Sequence, residues 1–407
     1  MSTRKKVRIL SIDGGGSWAL IPVRALMAIY GENAKGHEVL GDFDYVAANS
    51  GGSLVVAGLI CNFSLNQILN FFIQEANRNL VFSRLPFYHR PANFLSFGKF
   101  GFKYSSEEKL MGLKKVMQTA PNPKIADTAL SAIQIPKTDS VLDSQQSVRF
   151  VFMAYNYDRD RASFMRSYKS LAGAVGTQAS SDTLLNAVHA STNAPINYFD
   201  KPANLPGEKR YWDGGLTGYN NPVLAAVAEA LANGAKAEDI GVLSLGTGTV
   251  FLPLRDSACT GPEVVFKKHE TSGLFNDIKK AATTILKDPP DAHSFLAHLM
   301  LGAALPTTQC SGFTTPVVRM NPLIQPVAGM ISGAWYLPSG FDENEFDQLV
   351  QLDMDATKNE EVNLISKFCS AWINGSINNQ SVRPASDLSC EIGYPTFSAA
   401  QAAWTAM

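Results

Sequence analysis

The sequence predicts an α/β sandwich, a central and largely parallel β-sheet flanked by helices. Three observations predict it. Short, mostly apolar runs at 7–12, 149–155 and 240–245 have the form of strands covered on both faces. Stretches with helical spacing lie between them, so strands and helices alternate along the chain. The runs at 7–12 and 43–47 end in glycine-rich turns that hand over to a helix, at the strand ends where open α/β sheets place their chemistry.

Each element can be justified in order. Val7 to Ile12 make the first strand and run into Asp13-Gly14-Gly15-Gly16. A helix is expected from about Pro22, because proline suits a first helical turn. Phe43 to Ala47 form the second strand, which breaks at Asn49-Ser50-Gly51-Gly52 and continues as the helix-like LVVAGLI. Ser64 to Gln67 has the form of a capping box, and Leu65, Ile68, Leu69, Phe72, Ile73 and Ala76 share one helical face, read as core packing. Ser105 to Glu108 opens another helix, running to about Gln118, and a Pro/Asn-rich connector follows at 121–123.

Thr183 to Ser191 is expected as a short helix capped by Asp182 and stopped by Pro195. Pro222 opens an Ala-rich helix, 222–232, that Gly234 ends. Helical patterns recur near 273–286, 291–301, 342–353 and 359–374, and the last thirty residues carry no clear pattern. No internal repeat or linker interrupts the chain. One domain over 1–375 is expected, with a C-terminal extension at 376–407.

Composition excludes several functions. The 407 residues carry 35 Lys+Arg against 36 Asp+Glu, a net charge of -1, without the basic excess that nucleic-acid binding needs. With 23 Phe, 12 Tyr and 5 Trp the chain has ample means to collapse, which argues against long disorder. No apolar run approaches the ~18 residues of a transmembrane helix. The first apolar run is broken by Asp13, so no Sec-type signal peptide is expected. Cys61, Cys259, Cys310, Cys369 and Cys390 are dispersed, as reduced cytosolic thiols are, and nothing suggests a metal site.

A local patch would suffice for membrane contact. In 82–104, Phe82, Phe87, Tyr88, Phe94, Phe97, Phe100, Phe102 and Tyr104 interleave with Arg84, Arg90, Lys99 and Lys103. Such a segment either meets a bilayer interface or folds onto the body as a lid with its aromatics in the core.

Two chemistries compete for the glycine-rich strand ends. Gly14, Gly16 and Ala19 match the G-x-G-x-x-A of a dinucleotide loop. Against this, Asp13 abuts the loop and would repel a pyrophosphate, and no well-placed acid ends a strand near residue 35. Ala48-Asn49-Ser50-Gly51-Gly52 has instead the form of the G-x-S-x-G nucleophile elbow, with alanine for the first glycine. Ser50 would stand at a helix N-terminus, where amides and dipole favour developing negative charge. The plainer alternative is a Ser/Gly N-cap with no chemistry.

A serine nucleophile needs a base. The histidines, His37, His89, His189, His269, His293 and His298, lie in no distinctive context, and His189 reads as structural. Asp213, in Tyr211-Trp212-Asp213-Gly214-Gly215, is either the serine's partner or an ordinary Asp-Gly turn.

The set of motifs, in order, resembles the patatin-like phospholipase family. Asp13-Gly14-Gly15-Gly16 matches its D-G-G-G loop, Ser50 its elbow serine, and Asp213-Gly214-Gly215 its D-G-[GA] aspartate. Ala190-Ser191-Thr192-Asn193-Ala194-Pro195, Asn220-Asn221-Pro222 and Leu243-Ser244-Leu245-Gly246-Thr247-Gly248 resemble three further blocks. The likeness is well marked from about residue 7 to 250 and looser to about 375. Two departures are Trp18, where many members carry Arg or Lys, and Ala48.

The resemblance implies a modified α/β-hydrolase fold and a lipid acyl hydrolase of the phospholipase A or lysophospholipase type. Its catalytic dyad would be Ser50 and Asp213, and its oxyanion hole Gly14, Gly15, Gly16 and Gly51. It implies no cofactor and no metal, a phospholipid or other acyl-ester lipid as substrate, and peripheral membrane contact. The expected location is cytoplasmic or peripheral to a membrane, with export by a non-Sec route left open. The alternative is a silent lipid-binding or effector scaffold with the same fold.

Overall fold

Val7–Ile12 (β1) is the axis about which the sheet is built: Tyr45–Ala48 (β2) lies parallel on one side of it and Ile240–Leu245 (β7) parallel on the other. This computed structural model describes residues 7–82, 85, 102–138, 147–170, 178–195, 198–303, 315–384 and 390–407. Arg149–Asn156 (β3) continues the sheet parallel to β2, and the antiparallel strands Arg161–Arg166 (β4), Ala203–Leu205 (β5) and Lys209–Asp213 (β6) complete that half. Thr249–Val250 (β8) stands outside the main sheet, whereas Val317–Met320 (β9) adds to β7 in parallel. The described strands run in the order β5-β6-β3-β2-β1-β7-β9, with β4 also on β3.

The register aligns the carboxyl ends. Phe152 pairs with Ala48, Ala48 with Ile12, Ile12 with Leu245, and Leu245 with Met320. Every loop the sequence singled out leaves the sheet at or just after this line. Asn49-Ser50, Asp13 to Gly16, and Gly246 to Gly248 therefore share one edge.

Alternation along the strands divides the core in two. Leu10, Ile12, Val46, Phe150, Phe152, Leu243 and Leu245 face a large cluster that takes in the helices Leu20–Tyr30, Ser50–Ile60, Leu65–Ile73 and Asn359–Ile373. Ile9, Ala47, Val151, Met153 and Val242 face a smaller one built on the helix Val223–Ala232. Both faces are dry, which is why these strands carry mostly apolar runs. The C-terminal helix Phe397–Ala406 packs into the large cluster, where Trp404 stacks on Phe43 with ring centroids 5.6 Å apart.

Several local expectations are refined. Ser64 and Gln67 form the reciprocal capping box, and Ser105 accepts from the amide of Glu108 to open Ser106–Met117. The first helix starts at Leu20, after a 3-10 turn over Gly16–Ala19. The cap of Leu184–Ser191 is Thr183, whose side chain accepts from the amide of Asn186, while Asp182 pairs with Lys209 at 3.0 Å. The two patterns near 273–286 and 291–301 belong to one helix, Leu274–Met300, that continues through Pro289 and Pro290. Tertiary contacts override the proline signal there. Pro290 O accepts from Asn221 Nδ2 at 3.0 Å, and His293 Nδ1 lies 3.1 Å from Asn221 O.

In the aromatic segment only Phe82, Leu85, Phe102, Lys103 and Tyr104 are described; the remainder of 82–104, and so the lid or membrane-facing reading, lies outside the described residues. Tyr104 is buried and packs edge-on against Phe82 and tilted against Phe199. No described helix is long and apolar enough to cross a membrane.

Candidate active site

β2 ends at Ala48 and the chain reverses into the helix Ser50–Ile60 through a single sharp residue. That residue is Ser50, with φ at 49°, a left-handed conformation in a residue that carries a Cβ. Such a position costs about 1–3 kcal/mol and persists only where its surroundings over-determine it. Here the Ser50 amide donates to Ser191 Oγ at 3.1 Å, and Ser191 Oγ is 2.8 Å from Ser53 Oγ. Small neighbours complete the turn: a Cβ on Gly51 would come 2.7 Å from Gly16 O, too close for any other residue. The elbow is thereby pressed against the glycine loop that follows β1.

Asp213 reaches the same place from another strand. β2 pairs with β3 as far as Phe152, and β6 takes over that side of β3 with Asp213 opposite Ala154. Where one strand stops, the other arrives from the opposite direction. Asn49 Nδ2 donates to Asp213 Oδ1 at 3.0 Å, and the amide of Gly215 donates to it at 2.8 Å. The Asp213 amide is fixed by Asn193 O at 3.0 Å. Burial pushes the Asp213 carboxyl above the usual carboxylate range, against hydrogen bonds from Ser50, Gly215 and Asn49 and the charge of Lys109, which favour ionisation.

The glycine loop is held from both ends. Asp13 forms a two-pronged buried pair with Arg319, at 3.0 and 2.6 Å, and Arg319 also donates to Ser244 Oγ at 2.9 Å. Breaking such a buried pair typically costs about 3–5 kcal/mol. The Gly14 amide donates to Asn220 O at 2.9 Å, and Gly14 O accepts from Thr247 Oγ1 at 2.6 Å. The Gly14 amide, one of the expected oxyanion donors, is thus engaged with Asn220 in this structure. The amides of Gly15, Gly16 and Gly51 have no acceptor among the described residues. Trp18, in place of a cation, donates its indole N–H to Asp353 O at 3.1 Å and packs edge-on against Phe368.

Sequence reasoning missed Arg319 and Lys109. Lys109 is fully buried on Ser106–Met117, where its Nζ donates to His189 O at 2.9 Å and Thr192 Oγ1 at 3.1 Å. It thus satisfies carbonyl and hydroxyl groups at the end of the helix Leu184–Ser191, the segment that supplies Ser191 to Ser50 and Asn193 to Asp213. His189 is buried, and its Nδ1 has no partner among the described residues. His37 Nε2 lies 2.9 Å from Ile60 O and His298 Nδ1 2.7 Å from Thr315 Oγ1, so these histidines serve the frame.

Strain at the elbow makes a stability prediction. Ser50→Gly and Ser50→Ala both delete the hydroxyl, but only glycine relieves the left-handed backbone. The relief outweighs the extra freedom glycine gives the unfolded chain, so Ser50→Gly should be more stable by about 1 kcal/mol. Denaturant midpoints measure this, and an alanine variant as stable as the glycine variant would remove the strain from the account.

Comparison with known proteins bears on the family of the chain. The chain is 26% identical over 257 residues to an intracellular phospholipase A2 of Caenorhabditis elegans, covering 61% of this chain and 20% of that protein. It is 26% identical over 268 residues to patatin-like protein 2 of Arabidopsis thaliana, covering 60% of each. The chain therefore spans less than two thirds of the length of either relative. A solved structure, VipD from Legionella pneumophila, aligns over 90% of this chain and 68% of its own at 11% identity and a TM-score of 0.33. The family description "patatin-like phospholipase" matches residues 10–227, which hold the elbow, the glycine loop and the aspartate turn alike, and on that match the chain belongs to the patatin-like phospholipase family.

Proposed function

We propose that this protein is a lipid acyl hydrolase that cleaves carboxylic esters with Ser50 as nucleophile and Asp213 as base. One observation carries the reading. A strained, buried serine at a helix N-terminus directly follows Asn49, whose side chain binds the buried Asp213 carboxylate at 3.0 Å, and burial raises that carboxyl's affinity for a proton.

In the proposed reaction, Ser50 Oγ attacks the ester carbonyl carbon as its proton passes to Asp213. The carbonyl oxygen becomes an oxyanion, received by the amides of Gly15, Gly16 and Gly51, while Gly14 fixes the loop on Asn220. A lost donor of this kind typically costs about 3–4 kcal/mol of transition-state stabilisation. Collapse of the intermediate breaks the ester C–O bond, and Asp213 returns the proton to the departing alcohol. Water then gives its proton to Asp213, attacks the acyl-enzyme, and frees the carboxylic acid as Ser50 regains its proton. The substrates would be phospholipids or related acyl esters, met by peripheral contact with a membrane from a cytoplasmic or membrane-surface location. In the same reading 1–375 is one catalytic domain and 376–407 closes its core, supported by the seat of Trp404 against Phe43.

Ser50→Ala and Asp213→Asn should each reduce ester turnover by about a thousandfold or more while leaving the unfolding transition cooperative. A folded variant of either kind with near-normal turnover rules out the dyad. No fluorophosphonate labelling of Ser50 in the intact protein would favour the silent scaffold.

The pH dependence follows from the direction of the Asp213 shift. Because its folded pKa is raised, ionising it costs folding free energy, a cost absent below the unfolded pKa and fully present above the folded one. Catalysis needs the ionised form, so kcat/KM should rise with pH through a limb above the usual carboxylate range. Lys109→Met deletes a positive charge that favours the carboxylate and should move that limb to higher pH. A limb unmoved, or moved down, would show that Lys109 does not act on Asp213.

A further inference from the structure

The departure at Trp18 has its partner in a distant part of the chain. Trp18 is buried and gives its indole N–H to Asp353 O at 3.1 Å. One residue earlier, the Ser17 amide donates to Met354 O at 2.8 Å. Two consecutive carbonyls of one loop thus hold the two residues that follow Gly16. That loop, 352–358, joins the helices Glu343–Gln351 and Asn359–Ile373 and lies outside the 10–227 match to the family.

The approach is close. Gly16 is left-handed, with φ at 56°, and a Cβ there would fall 2.3 Å from Met354 O. Since Gly51 of the elbow presses on Gly16 O, Gly16 is wedged between the elbow and the loop 352–358. The loop is itself pinned. Asp355 Oδ2 accepts from the Tyr104 hydroxyl at 2.6 Å and from Lys103 Nζ at 2.9 Å, and the Asp355 side chain is 8% exposed. Hydrogen bonds to a carboxylate are roughly twice as strong as neutral ones. Thr357 O then accepts from the buried Arg78, from Nε at 3.1 Å and from Nη2 at 3.0 Å.

We propose that Trp18 and Asp355 are positioning residues for the reaction at Ser50, holding the glycine loop so that the Gly15 and Gly16 amides face the oxyanion. The inference rests on the hydrolase reading and gives a part in it to a loop beyond the family match. Asp13 and Arg319 fix the glycine loop where it leaves β1. Trp18 and the two carbonyls fix it where it enters the helix Leu20–Tyr30. Oxyanion donors act by being aimed before the charge forms, and a misplacement of about 1 Å can cost about a hundredfold in rate.

Three variants test the clamp. Trp18→Phe keeps an aromatic ring and deletes the N–H. Asp355→Leu deletes the acceptor of Tyr104 and Lys103, and Asp355→Asn restores an acceptor oxygen. Hydrolysis of p-nitrophenyl butyrate is expressed per site titrated to completion with a fluorophosphonate, which corrects for unfolded protein. Trp18→Phe and Asp355→Leu should each lower kcat about tenfold or more with KM changed less than about threefold, and Asp355→Asn should recover most of the loss. Affinity for an alkylboronic acid, which forms a tetrahedral anion on a serine, should fall by the same factor as kcat/KM. A merely structural role would lower the number of titrated sites while kcat per site and boronate affinity stay unchanged, and that result overturns the proposal. Hydrogen exchange of the peptide spanning 13–18, followed by mass spectrometry, reads the clamp without catalysis and should quicken about tenfold or more in both deletion variants. Unchanged exchange overturns the proposal equally. If the wild type cleaves no ester and takes no fluorophosphonate while exchange still quickens in both variants, the hold on the loop stands and the hydrolase reading falls.

Discussion

The two halves of the site meet because one edge of β3 is shared between two strands. β2 occupies it up to Phe152 and β6 occupies it from Ala154, so the last residues of two strands running in opposite directions abut. Ser50 follows the first strand and Asp213 ends the second. No mobile loop has to bring them together. Sites fixed on strand ends in this way hold geometry more closely than sites built on loops. The shared edge also explains the second-tier contacts, since Asn49 and Gly215 are simply the neighbours of each residue and both reach the same oxygen of Asp213.

Around this junction the protein keeps several charges dry. Asp13 and Arg319 neutralise each other beneath the glycine loop, where the loop's backbone can then be aimed without a free carboxylate beside it. Lys109 is a different case, because its contacts are a carbonyl and a hydroxyl and the charge that favours its ionisation is that of Asp213. In a low-dielectric interior such a pair interacts over longer range than at a surface. Burial therefore strains both groups towards neutrality, and each restrains the other. A carboxyl of raised affinity for protons suits the part of base proposed for Asp213.

The parts legible in the sequence were those with a local signature. Ser50 and Asp213 each sit in a turn marked by glycines, and β1, β3 and β7 each carry a mostly apolar run. Arg319 was illegible because its partner is 306 positions away, and nothing in its own strand sets it apart. Lys109 looked like any cation of a charged helix, alongside Lys114 and Lys115, and only the packing of Ser106–Met117 turns it inward. The apolar stripe of Leu65–Ile73 read as core, and Phe72 is indeed buried, yet it also lines an apolar cavity. Spacing reveals which face is apolar and not whether a void remains against it. For a related reason the sequence does not show that the Gly14 amide donates to Asn220.

The central claim is that an ester's acyl group passes through Ser50. Rapid mixing with p-nitrophenyl dodecanoate, acid quenching and peptide mass spectrometry test it directly. The account predicts a dodecanoyl adduct on the peptide carrying Ser50, absent from Ser50→Ala. Steady ester turnover with no adduct on that peptide, or with the adduct on another residue, would contradict it.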